Sequence, residues 1–271
     1  MEHLNANELF SIAIMLDLPD LLTLCKSSKR INQLLCQRND IWFYKLNIEF
    51  PNFKIYKTPK LTYELSLLKS QLNYEDSLEE LYNTKKLPLN GKKLTSIPKE
   101  IGNLTNLEEL SFYANNLTSI PKEIGNLTNL LRLSLSMNKL TSIPKEIGNL
   151  TNLLRLSLSG NKLTSIPKEI GNLSNLVLFY SSSNSLTEIP KELGNLTKLK
   201  ILELNHNNLT SIPKELGNLS DLEDFSLSVN NLTSIPKELG NLTKLKVLNL
   251  SNPIEIPKEV ENIKGLTIIR S

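Results

Sequence analysis

The chain has 271 residues, and its 39% hydrophobic content is enough to bury a sizeable core. Its 31 basic and 28 acidic residues are mixed along the sequence, so the charges form no basic patch of the kind that binds nucleic acid. Two cysteines and two histidines supply no metal-ligand set, and no glycine-rich phosphate loop occurs. We therefore expect no metal and no other cofactor.

Residues 1–50 are predicted to form a small domain of helices. One helical face is formed by apolar residues three or four positions apart, namely Leu9, Ile12, Ala13 and Leu16. This helix is expected to end near Leu18-Pro19, because proline rarely continues a helix. The segment closes on an aromatic patch around Trp42, the only tryptophan.

Leucines and a Leu-Pro element follow one another in this segment in a characteristic order. The residues concerned are Leu4-Asn5, Glu8-Leu9, Leu16, Leu18-Pro19-Asp20-Leu21-Leu22, Leu24-Cys25-Lys26, Asp40-Ile41-Trp42 and Leu46. This order resembles the F-box, a three-helix module that docks on the Skp adaptor of cullin-RING ubiquitin ligases. The resemblance implies that the adaptor is bound by Leu4, Leu9, Ile12, Leu16, Leu18, Pro19 and Leu22. The alternative is a helical cap that only shields the repeats that follow.

Residues 51–86 are predicted to be a helical junction and an N-terminal cap. A helix after Pro59 is indicated by four leucines at helical spacing, Leu61, Leu65, Leu68 and Leu72. A second short helix is expected from Ser77 to Leu81. We expect the leucines of this junction to cover the open edge of the repeat stack.

Residues 87–271 repeat with a period of 23 residues. The stretch Leu94 to Asn116 begins again, in near-copies, at Leu117, Leu140, Leu163, Leu186, Leu209 and Leu232. Each copy contains the pattern LxxLxLxxNxL, which is the signature of a leucine-rich repeat. The array resembles the intracellular leucine-rich repeat class of this period, with an IPxxIGNL return arm. The fold expected is an α/β solenoid, with a curved parallel β-sheet on the concave face and short helical turns on the convex face.

The repeat pattern also predicts the individual parts of the solenoid. The sheet should start at Leu87-Pro88-Leu89, because Pro88 cannot donate to a ladder and belongs on an edge strand. Eight strands are expected, with a partial ninth unit at Ile263, Leu266 and Ile269. The asparagines that follow the strands should form a buried ladder, comprising Asn115, Asn138, Asn161, Asn184, Asn207 and Asn230.

The compartment is indicated by the cysteines. Cys25 and Cys36 both lie near the N-terminus, whereas a secreted repeat protein is expected to carry cysteine-rich caps closed by disulfides. No run reaches the ~20 apolar residues that span a membrane. We expect an intracellular protein of the cytoplasm or nucleus. The abundant Asn, Lys, Leu and Ile in so regular an array resemble proteins of large DNA viruses that infect amoebae, which would place the chain in a host cell.

Candidate binding residues lie between the core leucines, at the strand positions that face the concave side. Serine dominates the middle of this face, and nine residues stand out against that uniform background. They are Tyr113, Arg132, Arg155, Leu178, Tyr180, Ile201, Glu203, His206 and Asp224. Aromatic and arginine side chains are frequent anchors of protein interfaces, so we expect these nine to form a partner-binding surface. The alternative is neutral drift within a recently duplicated array.

The chain as a whole resembles F-box/leucine-rich repeat proteins. That resemblance implies a substrate-recognition adaptor of a ubiquitin ligase, in which the repeats bind the substrate protein. The alternative is a repeat scaffold that binds a protein partner with no ubiquitin link. An enzyme is not expected: Ser183, His206 and Glu203 converge, but no oxyanion site accompanies them.

Overall fold

The computed structural model describes residues 6–13, 15–16, 33, 41–42, 45, 49, 57–251 and 254–270. The chain divides into two compact units, Met1–Tyr82 and Asn83–Ser271. Several residues singled out in the sequence lie outside the described residues, namely Leu4, Leu18, Pro19, Leu22, Cys25 and Cys36.

The described part of the first unit is helical. Helix α1 spans Ala6–Ala13 and helix α2 spans Pro59–Leu72. Helix α3 spans Leu78–Asn83, at the boundary between the two units. The first predicted helix is therefore present, and it ends at Ala13 and not near Leu18. The backbone N–H groups of Met15 and Leu16 then bond to carbonyls three residues earlier, which tightens the chain into a turn.

Helix α2 begins and ends where its sequence provides caps. The Thr58 hydroxyl accepts a bond of 3.3 Å from the backbone N–H of Leu61, and Pro59 occupies the first turn, where no N–H is needed. Asn73 ends the helix in the left-handed conformation, with φ +48°. The predicted apolar face is buried at Leu65, Leu68 and Leu72. It is accompanied by Tyr63, whose hydroxyl donates to Glu49 Oε2 at 2.6 Å.

The second unit is one parallel sheet in which each strand pairs with the next in the sequence. Its strands are β1 Lys86–Pro88, β2 Glu109–Ser111, β3 Arg132–Ser134, β4 Arg155–Ser157, β5 Leu178–Tyr180, β6 Ile201–Glu203, β7 Asp224–Ser226, β8 Val247–Leu250 and β9 Thr267–Arg270. The predicted solenoid is confirmed, and β1 with Pro88 is an edge strand as expected. The partial ninth unit forms a complete strand, because Ile268 pairs in register with Leu248.

The return arms on the convex side are short 3-10 helices. They span Lys99–Asn103, Lys122–Asn126, Lys145–Asn149, Lys168–Asn172, Lys191–Asn195, Lys214–Asn218 and Lys237–Asn241, and α4, Lys258–Glu261, occupies the last such place. Their bonds run from residue i to i+3, as from Ile124 N–H to the Pro121 carbonyl at 3.1 Å. Ile124 is fully buried, so the arms fix the convex side of the core.

Consecutive return arms pack almost backbone to backbone. A Cβ added to Gly125 would lie 2.6 Å from the backbone carbonyl oxygen of Glu146 in the next arm, and one added to Gly194 would lie 2.3 Å from that of Glu215. Real carbon and oxygen atoms do not approach so closely without bonding. Glycine at these places is therefore a packing requirement.

An asparagine in each of six repeats, buried in four of them and half-buried at Asn184 and Asn230, satisfies backbone groups of its own and the neighbouring repeats. The Asn161 amide nitrogen donates to the carbonyls of Leu135 at 3.0 Å and Leu158 at 2.8 Å, and its oxygen accepts from Leu140 N–H at 3.0 Å. Equivalent bonds recur from Asn115 to Asn230. The predicted ladder is confirmed, and it ties each bend to the repeat before it.

Candidate functional site

The strand residues on either side of each buried leucine or phenylalanine form two columns across the concave face. The first column contains Lys86, Glu109, Arg132, Arg155, Leu178, Ile201, Asp224 and Val247. The second contains Pro88, Ser111, Ser134, Ser157, Tyr180, Glu203, Ser226 and Asn249. Parallel strands are about 4.8 Å apart, so each column is a row of closely spaced side chains.

The N-terminal end of the first column is an ion-pair network. Glu109 Oε1 lies 2.8 Å from Lys86 Nζ and 2.6 Å from Arg132 Nη1. The hydrogen bond from Lys86 and the two positive charges hold the pKa of Glu109 below its usual range, although burial opposes them. These side chains border a shallow groove of about 300 Å³, which extends to Arg155.

The centre of the concave face combines one cation with aromatic and aliphatic surface. The Arg155 guanidinium lies over the Tyr180 ring, 4.9 Å from its centroid, and its Nε donates to Ser157 Oγ at 3.4 Å. A guanidinium over an aromatic face is attracted by the ring's electron density. Leu178 and Ile201 are half-buried beside this pair.

Glu203 and Asp224 form a carboxylate pair at the C-terminal end. Burial raises the pKa of Glu203, the negative charge of Asp224 raises it further, and the positive charge of Arg155 opposes both. Burial also raises the pKa of Asp224, while a hydrogen bond with Ser226 lowers it. One carboxylate oxygen of Asp224, Oδ1, is buried with no hydrogen-bond partner. Burying an acceptor without a donor costs free energy, and this oxygen is such an unsatisfied group on the concave face.

Two outer columns continue the surface past the strands. Tyr113, in the third column, has 47% of its surface exposed. The fourth column has left-handed backbone at each of its described positions, with φ between +52° and +70° at Gly91, Ala114, Met137, Gly160, Ser183, His206 and Val229. The side chain of His206 is exposed there. Glycine at two of these positions was the sequence signal for this conformation, which the sequence analysis did not use.

The nine predicted binding residues are all on these columns, and the structure brings only some of them together. Arg155 contacts Tyr180, and Glu203 interacts with Asp224. Tyr113 is on the second repeat, several strands from Asp224. Sequence reasoning missed the ion pairs of Lys86 and Glu109, although charges of opposite sign one period apart were a readable signal.

The lateral edge of the sheet, just before the strands, carries a further set of side chains that the sequence analysis did not select. Lys244 Nζ lies 2.5 Å from Asp221 Oδ1, and Glu223 pairs with both Lys200 and Lys246. In earlier repeats, asparagines such as Asn152 occupy this edge and donate to backbone carbonyls. These pairs are exposed, so each contributes little to stability, and they lie off the concave columns.

Three of the predicted adaptor-binding residues fall in the described part of the first unit. Leu9 is buried, whereas Ile12 and Leu16 are half-buried and keep surface that a partner can contact. The other four, Leu4, Leu18, Pro19 and Leu22, lie outside the described residues.

Two further observations concern the described residues only. No helix among them is long and apolar enough to cross a membrane. No group of three or more histidine, cysteine, aspartate or glutamate side chains is arranged there to hold a metal ion.

Comparison with known proteins identifies the repeats. A family model for the leucine-rich repeat region matches residues 48–176 and 152–265. No curated protein sequence matches the chain at a significant level. Among solved structures, a leucine-rich repeat protein of Leptospira interrogans is 36% identical, with 81% of this chain and 64% of that chain covered and a TM-score of 0.57.

Two other solved structures extend the comparison. The leucine-rich repeat ectodomain of the Arabidopsis thaliana receptor kinase GASSHO1/SCHENGEN3, solved in complex with Casparian strip integrity factor 2, is 36% identical over 68% of this chain and 26% of that chain, with a TM-score of 0.53. An internalin from Listeria monocytogenes is 26% identical over 76% of this chain and 67% of that chain, with a TM-score of 0.55. The chain thus spans 64% of the Leptospira protein and only 26% of the receptor ectodomain. With its family model matching most of the residues, this chain belongs to the leucine-rich repeat proteins.

Proposed function

We propose that the chain binds a protein partner on the concave face of its sheet. The binding residues are Tyr113, Arg132, Arg155, Leu178, Tyr180, Ile201, Glu203, His206 and Asp224. The observation that carries the proposal is the chemical variety of this face from repeat to repeat, while the return arms repeat with little change. The receptor-kinase ectodomain that is similar to this chain has been solved in complex with another molecule, which supports a binding role for the scaffold.

The Arg155 and Tyr180 pair is the expected centre of the interface. Tyrosine and arginine are enriched among residues that carry most of the binding energy. The stacking contact of 4.9 Å already restricts both side chains, so less conformational entropy is lost when a partner binds. Neighbouring Leu178 and Ile201 add apolar surface that a partner can cover.

The proposal is tested by capturing a partner with the intact chain and then changing the pair. Changing Arg155 and Tyr180 together to alanine should weaken binding by about thirtyfold, the equivalent of about 2 kcal/mol, as expected for an interface centre. The matched control changes Lys198 and Lys244 on the lateral edge to alanine, which should leave binding unchanged. Undiminished binding by the Arg155 and Tyr180 variant, folded as judged by its thermal unfolding, would reject this function.

A second candidate function follows from the F-box resemblance of the N-terminal segment. In this role the segment docks on a Skp-type adaptor, and the repeats present a substrate protein to a ubiquitin ligase. The role requires an intracellular location, which the scarcity of cysteines predicts. A host-cell location, suggested by the likeness to viral proteins, is compatible with it.

The second candidate is tested by co-precipitation of the full chain with a Skp-type adaptor. Binding that is lost when Leu18, Pro19 and Leu22 are changed to alanine, and kept when Arg155 and Tyr180 are changed, would support it. No adaptor binding by the intact chain would leave the concave-face scaffold as the function.

A further inference from the structure

The charges of the concave face are separated by sign along the array. Three cations, Lys86, Arg132 and Arg155, lie on β1, β3 and β4 with a single carboxylate, Glu109, among them. Glu109 pairs with two of these cations, which leaves Arg155 facing the groove with no carboxylate within ion-pair distance in the part of the chain that the structure describes. The N-terminal half of the face therefore has an excess of positive charge.

The C-terminal half has the opposite charge. Glu203 on β6 and Asp224 on β7 have no cation within ion-pair distance among the described residues. One oxygen of Asp224 is buried and lacks a donor. A carboxylate turns readily about its terminal torsion, so a donor arriving on the concave face can reach this oxygen. The pair thus has unused capacity to accept hydrogen bonds from a cation.

The two charged ends are joined by an uncharged apolar centre. Leu178 and Ile201 occupy the first column between Arg155 and Asp224, and Tyr180 lies beside them in the second. All three side chains are half-buried, so they keep surface on which another apolar side chain can pack.

The strand spacing sets the distance between the charged ends. Arg155 on β4 and Asp224 on β7 are three strand intervals apart, which corresponds to about 14 Å. An extended chain advances about 3.3 Å per residue, so about four residues bridge that distance.

We infer that the concave face recognises an extended protein segment lying across the strands, with an acidic side chain at Arg155 and a basic side chain about four residues away at Glu203 and Asp224. Apolar residues of the segment cover Leu178, Ile201 and Tyr180 between these ends. The inference rests on the proposed function and specifies the chemistry of the partner. Nucleic acid does not fit this arrangement, because its phosphates would meet two carboxylates at one end of the face.

The test is a selection of random peptides displayed on phage against the intact chain. Enriched peptides should carry one acidic and one basic residue about four positions apart, with apolar residues between them. Binding of a synthetic enriched peptide should fall about tenfold with Arg155→Gln, and by a similar factor with the Glu203→Gln and Asp224→Asn double variant. Lys198→Gln and Asp221→Asn on the lateral edge are the matched controls and should not change binding.

The variants should also change what is selected. Against the Glu203→Gln and Asp224→Asn variant the basic position should fall to the background frequency of the library, and against Arg155→Gln the acidic position should do so. Enriched peptides without this charge order, selection patterns unchanged by the variants, or no enrichment at all would each overturn the inference. The proposed function is decided separately by the captured partner, which can depend on Arg155 and Tyr180 even if no charge order is found.

Discussion

The convex and concave faces of each repeat are built under different constraints. On the convex side, a Cβ at any of seven glycines would lie 2.3–2.7 Å from the backbone carbonyl oxygen of a glutamate in the next arm. On the concave side, residues such as Tyr113 and Met137 are about half exposed, at 47% and 54%, and face solvent. Sequence variety is found where no neighbouring repeat restricts it. Substitutions in the packed interior and between the return arms should therefore have the largest effects on stability, and those on the concave face should chiefly change binding.

The Asn161 ladder position should show the largest effect on stability. Asn161→Ala removes three bonds to backbone groups of the interior, two given by its amide nitrogen and one accepted by its oxygen. Unsatisfied buried groups cost about 1–3 kcal/mol each, so we expect a loss of about 4 kcal/mol in the free energy of unfolding. Unfolding in denaturant measures this loss.

The control for this change is Asn152→Ala on the lateral edge. Asn152 is exposed and donates to the Thr128 carbonyl at 2.9 Å, so its loss should cost about 1 kcal/mol. Equal losses in the free energy of unfolding for the two variants would mean that burial does not determine how much the ladder contributes to stability.

The close approach of the return arms predicts the next largest effect. Gly194→Ala places a Cβ 2.3 Å from the Glu215 carbonyl oxygen, and the backbone of the next arm must move. We expect a loss of about 2–3 kcal/mol, as for other overpacked interiors. Lys191→Ala, exposed in the same arm, should change the free energy of unfolding by less than about 0.5 kcal/mol. A Gly194→Ala variant as stable as the Lys191 variant would contradict the packing argument.

A smaller effect of opposite sign is expected on the concave face, at Val229. This β-branched residue has a left-handed backbone, with φ +52°, and its side chain is 48% exposed. Asparagine adopts that conformation more easily, so Val229→Asn should increase the free energy of unfolding by about 1 kcal/mol. Val247→Asn, at a strand position of the next repeat, should instead lose stability. Thermal unfolding of both variants checks the sign, and a loss at Val229 would be the contrary result.

The smallest effect is a pH dependence of the carboxylate pair. The pKa values of Glu203 and Asp224 are raised in the folded chain, chiefly by burial, so their ionised forms lower its stability. That cost is absent below their ordinary pKa values and appears as the pH rises through the raised values. The Glu203→Gln and Asp224→Asn variant should therefore melt above the wild type at neutral pH, and the difference should vanish in acid.

Glu223 on the lateral edge provides a comparison of opposite sign. Hydrogen bonds from Lys246 and Lys200 hold the pKa of Glu223 below its usual range. Its contribution to stability is present above the ordinary pKa and is lost as the pH falls through the lowered value. Glu223→Gln should therefore melt below the wild type at neutral pH, with a difference that also vanishes in acid. The same sign for both variants would contradict the assignment of burial as the cause at the concave pair.

Periodicity made the sheet predictable, because a constant spacing determines which residues face each other. Register pairs such as Leu110 with Leu133 and Arg132 with Arg155 follow directly from the repeat of 23 residues. The buried asparagine ladder followed from the same regularity and from the cost of unpaired polar groups. The return arm was predicted as a short turn of helix, and its i to i+3 bonding depends on backbone geometry that composition does not specify.

The chemistry within the columns was less predictable. Contact between Arg155 and Tyr180 is diagonal, from the first column of one strand to the second column of the next, so it depends on side-chain rotamers. The unpaired Asp224 oxygen depends likewise on local burial, which spacing alone does not determine. The expected binding residues were chosen as variable positions against the serines in the middle of the face, and Lys86 and Glu109 with their ion pairs were not among them.

The in-register pairing of β4 to β7 also has an evolutionary consequence. Because each repeat contacts its neighbours in the same way, a whole repeat can be gained or lost in this region without breaking the ladder. Such an event would change the distance from Arg155 to Asp224 by one strand interval, about 4.8 Å. A segment with a different separation between its charges would then fit the face. Duplication and deletion of repeats can thus alter the choice of partner in single steps, without substituting any residue that contacts it.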